Sequence, residues 1–144
     1  MLRIIFRSAV VWAILGLASG VYWREVTKFA EYDGATQLST AHTHALALGM
    51  TILLVVLSIA KVFGTAEKRT TLFVILWNVG VGLTFGVMIV KGSFQAFGVE
   101  FAASPMWSGI AGLGHMITAG ALVFLFVIVR RALKTAEVPE GVAV

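Results

Sequence analysis

Four apolar stretches, each long enough to cross the hydrocarbon core of a bilayer, dominate the sequence. They lie at about residues 4–23, 38–62, 71–92 and 106–129, and short polar segments connect them. A helix needs about 20 apolar residues to span the core, and irregular backbone cannot face lipid because its polar groups would stay unpaired. The pattern therefore predicts an all-α fold, an integral membrane four-helix antiparallel bundle, formed by residues 1–135 as a single domain.

Composition supports a membrane protein and excludes several other classes. Hydrophobic residues make up 59% of the chain and charged residues 12%, against about 25% charged residues in ordinary soluble domains. The chain has no cysteine, which excludes disulfides, thiolate metal sites and thiol nucleophiles. Membrane topology accounts for the net charge of +4, and no basic stripe interleaved with aromatic residues indicates a nucleic acid partner. No catalytic motif of a soluble enzyme is visible, and the sequence does not decide whether the chain is an enzyme.

The basic residues predict the orientation of the bundle. Eight of the eleven Lys and Arg residues lie on one side of the predicted membrane and three on the other. The positive-inside rule therefore places both termini in the cytoplasm, and we interpret the membrane as the bacterial inner membrane. Residues 136–144 are expected to form a flexible cytoplasmic tail. The eight residues are Arg3, Arg7, Lys61, Lys68, Arg69, Arg130, Arg131 and Lys134, and the three are Arg24, Lys28 and Lys91.

The three histidines of the chain fall in the outer half of the predicted membrane. At a rise of 1.5 Å per residue, His44 lies roughly 8 to 12 Å along the second helix and His115 roughly 14 Å along the fourth. The two helices start on the same outer side, so all three imidazoles can share one layer of the bundle. At the depth of His115 an ionisable residue indicates a functional or hydrogen-bonded role, whereas His42, nearer a helix end, could also be an ordinary polar residue of the interface.

Helix geometry separates His42 from His44. Successive residues of an α-helix turn by about 100°, so these two side chains project about 200° apart and cannot chelate one ion. Each must therefore serve a different partner. Small residues flank every imidazole, which either allows close packing of helices or leaves a slot for a flat macrocycle.

The pattern favours haem as the ligand of these histidines. Imidazole is the common axial ligand of haem iron and is neutral when bound, so lipid tolerates it. We predict haem b with His42, His44 and His115 as candidate iron ligands, His115 pairing with one of the other two; copper is the alternative metal. Arg24 is a candidate partner for a haem propionate, since a guanidinium binds carboxylates bidentately, and the competing interpretation is a surface ion pair.

Other small and polar residues of the spans are expected to hold the helices together. Two pairs of glycines with small-xxx-small spacing, Gly16 with Gly20 and Gly82 with Gly86, predict close helix approach. Asn78 is expected to bond a neighbouring helix rather than a ligand.

The segment "HTHALALGM" resembles the His-x-His helix of the haem-copper oxidase and nitric oxide reductase superfamily, where histidines two apart ligate two different haems. The resemblance extends only to His42 and His44, and the histidine-tyrosine copper site of the oxidases has no counterpart here. Through "GVYWREVTK", "TQLSTAHTHALALG" and "SGIAGLGHM" the chain also resembles an uncharacterised bacterial four-helix membrane family. Because the catalytic subunit of the superfamily has three arcs of four helices, the resemblance implies a homo-oligomer, a homotrimer rebuilding that architecture.

These observations predict a membrane b-type haem protein for electron transfer or for gas or haem sensing, with an unidentified redox partner. Two alternatives remain. A small bundle with intramembrane histidines could transport protons or a metal ion, although the inner half offers few ionisable residues to continue a path. The chain could also be a non-catalytic accessory subunit whose histidines only bond between helices.

Overall fold

The computed structural model describes residues 1–136, which form four long helices joined by short turns. We label them α1 (Leu2–Phe29), α2 (Leu38–Phe63), α3 (Glu67–Ala96) and α4 (Met106–Ala136). All four are long and apolar enough to cross a membrane. This confirms the predicted all-α class and the number of candidate spans. Apart from Ala136, the predicted tail lies outside the described residues.

The helices extend beyond the apolar stretches that identified them. Helix α1 continues through the polar sequence "REVTKF" to Phe29, and α3 begins at Glu67, before its apolar part. Hydropathy marks the part of a helix that matches lipid, whereas backbone hydrogen bonding continues into the headgroup region as long as the residues are helix formers. The segment between α1 and α2 is therefore shorter than the sequence suggested.

Two glycines in the left-handed region end helices. Gly64, with φ 62° and ψ 51°, is the C-cap of α2, and Gly98, with φ 67°, follows the end of α3. Only glycine adopts this conformation without steric cost, which makes it the common residue at helix C-termini. A short 3₁₀ turn over Glu100–Ala103 then leads into α4.

Helices α1 and α2 approach each other closely at small residues. A Cβ added at Gly16 would lie 2.6 Å from the Leu46 side chain, and one at Gly20 would lie 3.7 Å from the Cβ of His42. A Cβ at Gly49 would overlap the indole of Trp12. The predicted role of Gly16 and Gly20 in helix packing is confirmed, and Gly49 adds a third contact from the opposite helix.

Helices α3 and α4 meet through a reciprocal pair of Gly-xxx-Thr motifs. A Cβ at Gly80 would overlap the Thr118 hydroxyl and lie 2.8 Å from its backbone nitrogen, and one at Gly114 would lie 2.6 Å from Oγ1 of Thr84. Gly82 and Gly86, which the sequence suggested for this role, have no such neighbour within 4 Å among residues 1–136. That prediction is wrong within one chain, because the face that packs on α4 is set by Gly80 and Thr84.

Large buried side chains concentrate in the half of the bundle near the first residue. There Ile5, Leu53, Phe73 and Trp77 are each 2% exposed or less. Trp12 links α1 to α3 by donating from Nε1 to Oδ1 of Asn78 at 2.6 Å, which confirms that Asn78 bonds a neighbouring helix. In the histidine half, close packing at small residues is accompanied by fewer large buried side chains, among them Leu38.

Candidate functional site

His115 lies on the outer surface of α4 with one ring nitrogen already occupied. Its side chain is exposed, and Nδ1 lies 2.7 Å from the carbonyl oxygen of Ala111, one turn earlier. A carbonyl oxygen can only accept a hydrogen bond, so Nδ1 carries the proton. The lone pair of the neutral ring is then on Nε2, which points away from the helix backbone. Gly112 beside it has no neighbour within 4 Å of an added Cβ, so space around the ring is open in the chain.

His44 on α2 repeats the same arrangement. Its Nδ1 lies 3.1 Å from the carbonyl oxygen of Thr40, again one turn earlier. By the same argument Nδ1 donates and Nε2 holds the free lone pair. The side chain is half-buried, so the ring is less open than that of His115. This is the tautomer that metal-ligating histidines adopt when the second nitrogen donates to a backbone carbonyl.

His42 has different surroundings. Its ring stacks on Trp23 of α1, with centroids 6.1 Å apart and an interplanar angle of 8°. Nε2 lies 3.3 Å from the Thr43 hydroxyl, whereas Nδ1 is buried and has no hydrogen-bond partner. His42 therefore packs against α1 while His44 does not, as the angle between them predicted. A buried nitrogen without a hydrogen bond lowers the stability of the fold, and among the three histidines only His42 has one in residues 1–136.

A π-helical segment, Ala45–Thr51, follows directly after His44 and was missed by the sequence reasoning. Thr51 donates from Oγ1 to the carbonyl of Leu46, five residues earlier, as the wider turn requires. Single π-helical turns are rare and are frequently found at functional sites. In the structure the buried positions there, Ala41, Ala45, Gly49 and Leu53, follow one another in steps of four, where an α-helix alternates steps of three and four. The sequence does not reveal this spacing, because nearly every residue of the segment is apolar.

Helices α2 and α4, which carry His44 and His115, pack against each other chiefly through Ile52–Phe63, the half of α2 away from its histidines. In the histidine half, α4 instead lies against α3 at Gly114 and Thr84. In residues 1–136 no group of three or more His, Cys, Asp or Glu side chains is placed to hold a metal ion, so the histidines form no three-ligand centre within a chain.

Arg24 lies in the C-terminal part of α1 and is strongly exposed. Its Nε is 3.7 Å from Oε1 of the adjacent Glu25, and the two side chains are 78% and 59% exposed. Such a pair contributes little to stability, since water screens both charges. The guanidinium therefore remains accessible to a stronger anion.

Comparison with known proteins identifies a family without a described activity. The profile of a family described as "Protein of unknown function (DUF2871)" matches residues 2–132. No curated protein and no solved structure matches the chain. The predicted resemblance to an uncharacterised family is confirmed, and the resemblance to the haem-copper oxidases stays a prediction.

Proposed function

Because the chain belongs to this family, whose members have no described activity, we propose a function from its own geometry: it binds haem b in a membrane through His44 and His115. The two imidazoles would bind the iron through Nε2, and His42 would pack against α1 without binding it. The sequence did not decide whether His42 or His44 is the iron ligand on α2, and this proposal chooses His44.

The observation that carries the proposal is the matched tautomer of His44 and His115. In both, Nδ1 donates to the carbonyl four residues earlier, at 3.1 Å and 2.7 Å. The donation fixes the ring orientation and leaves the lone pair on the opposite nitrogen, which is the arrangement that metal-ligating histidines adopt. His42 lacks such a bond.

A bound haem would supply a redox-active iron, which could serve electron transfer or the sensing of a gas or of haem itself. His44 and His115 would hold its iron, and Arg24 would pair with a propionate. The small residues around the imidazoles leave room for a flat ligand beside α4. No feature of residues 1–136 supports transport or an accessory role as specifically as the two histidine tautomers support haem binding.

The proposal includes topology and assembly. The four helices form an antiparallel bundle with both termini in the cytoplasm and the histidines in the outer half of the bacterial inner membrane. The exposed position of His115 favours a homo-oligomer, a homotrimer in our proposal, in which His44 of the same or the neighbouring subunit provides the second ligand. An imidazole that faced lipid alone would be costly, so a second subunit or a cofactor is expected to cover it.

Purification after expression with added haem precursor tests the function. We expect a red preparation with a Soret band, and we expect His44→Ala or His115→Ala to reduce the bound haem at least about tenfold, since each loses one axial ligand. His42→Ala is the matched control and should retain haem. Pyridine haemochrome absorbance per mole of purified protein is the measurement.

Rescue by a free ligand separates lost coordination from lost folding. His115→Gly leaves space at an exposed position, so adding imidazole should restore the Soret band of this variant. A colourless wild-type preparation, despite haem supply and an intact helical circular dichroism spectrum, would contradict haem binding. Retention of haem in His44→Ala and its loss in His42→Ala would overturn the choice of ligand.

A further inference from the structure

A basic cavity lies at the opposite end of the bundle from the histidines, where the turn between α2 and α3 meets the last turns of α4. It has a volume of about 200 Å³. Its lining includes two basic residues, Arg69 of α3 and Arg131 of α4, and the hydroxyl-bearing residues Thr65 and Thr135. These residues have no part in the proposed haem site.

We propose that this cavity binds the phosphate group of an anionic phospholipid. A guanidinium forms paired hydrogen bonds with phosphate oxygens, and two guanidiniums from different helices can hold one phosphate from two directions. The Thr65 hydroxyl accepts a hydrogen bond from Oγ1 of Thr70 and can donate its own proton to a ligand, whereas the Thr135 hydroxyl already donates to the carbonyl of Arg131. The cavity therefore combines the donor types that a phosphodiester requires.

The first turn of α3 adds to the positive potential of the cavity. This helix begins at Glu67, its N-cap is Ala66, and no side chain caps its first N–H groups. Thr65 and Ala66 both line the cavity, so the uncapped end of the helix lies at its wall. Unpaired N–H groups and the helix dipole both favour an anion at this position.

The carboxylate nearest in sequence to Arg69 is engaged elsewhere. Oε1 of Glu67 lies 3.3 Å from the terminal amine of Met1. Among residues 1–136, neither Arg69 nor Arg131 lies within 4.0 Å of an acidic oxygen. The two guanidiniums are therefore not neutralised within this part of the chain.

The position of the cavity favours a lipid as the source of the phosphate. Arg131 also lines an adjacent open cavity of about 280 Å³ with Val127, Arg130 and Lys134, so the basic surface continues along α4 towards its apolar span. Exposed apolar residues of α4, among them Val127 and Leu133, lie in the same region and can contact acyl chains. Basic pockets between membrane helices are known sites for anionic headgroups.

Binding of phosphatidylglycerol to the full-length protein in phosphatidylcholine nanodiscs tests the proposal. We expect Arg69→Gln and Arg131→Gln each to weaken binding about tenfold, since each removes a charged two-bond contact. Lys68→Gln removes the same charge beside Arg69 but does not line the cavity, so it should change binding less than about twofold. Helical circular dichroism of each variant controls for folding.

A second experiment measures whether inorganic phosphate stabilises the protein when no anionic lipid is present. If phosphate alone stabilises the protein in an Arg69-dependent manner and phosphatidylglycerol adds nothing, the lipid source is overturned. An equal loss of lipid binding in Arg69→Gln, Arg131→Gln and Lys68→Gln would also overturn the proposal, since it would reveal only a general attraction between basic residues and an anionic surface.

Discussion

Gly80→Val is expected to destabilise the bundle by at least about 3 kcal/mol, at the upper end of the usual cost of overpacking. A Cβ at Gly80 would overlap the Thr118 hydroxyl and lie 2.8 Å from the Thr118 backbone nitrogen and 3.0 Å from the Gly114 oxygen. A hydroxyl can rotate, but backbone atoms move only if the two helices separate. Unfolding in mixed micelles, followed by circular dichroism against the mole fraction of sodium dodecyl sulfate, measures the loss.

The chain offers a matched control two residues away. Gly82 lies on the same helix, and an added Cβ there has no neighbour within 4 Å. Gly82→Val changes helix propensity and volume as Gly80→Val does, so in a monomer it should cost less than about 1 kcal/mol. A comparable loss from both substitutions would contradict the assignment of Gly80 to the helix crossing.

Trp12→Ala is expected to have the second largest effect, a loss of about 3 kcal/mol. Trp12 is 5% exposed, donates a hydrogen bond to Asn78 and makes an edge contact with Phe85 at a centroid distance of 5.5 Å. Its indole also fills the space that Gly49 leaves on α2. Because lipid is as apolar as the core, the loss comes from the cavity and the broken contacts rather than from transfer to water.

Trp12→Phe separates packing from hydrogen bonding. Phenylalanine keeps an aromatic ring against Gly49 but cannot donate to Asn78, so we expect a loss of about 1 kcal/mol in the same micelle titration. If Trp12→Phe were as destabilising as Trp12→Ala, the hydrogen bond to Asn78 rather than ring packing would be the main link between α1 and α3.

The spans and the divergence of the histidines were predictable because they depend on local chemistry. Hydropathy shows which segments are long and apolar enough to span a bilayer. The turn of 100° per residue fixes the angle between His42 and His44, because Leu38–His44 is a regular α-helix. The stacking of His42 on Trp23 depends on the partner helix. Sequence spacing contains no information about that choice of neighbour.

The choice of packing glycines shows the same limit. Gly80, Gly82 and Gly86 all lie on one helix, and spacing alone favoured the second and third. The actual crossing uses Gly80 because Thr118 and Gly114 of α4 lie opposite it. Small-residue motifs therefore predict that a helix can approach closely, but the face is fixed by the complementary motif on its neighbour.

The π-helical turn at Ala45–Thr51 separates α2 into two registers. Residues before it, including both histidines of α2, are rotated relative to Ile52–Phe63 by the extra residue that the wide turn contains. A deletion of one residue within this turn would convert α2 to a uniform helix and swing His42 and His44 by about 100° around its axis. The angular position of the imidazoles is thus adjustable without altering the packing of the remainder of the helix.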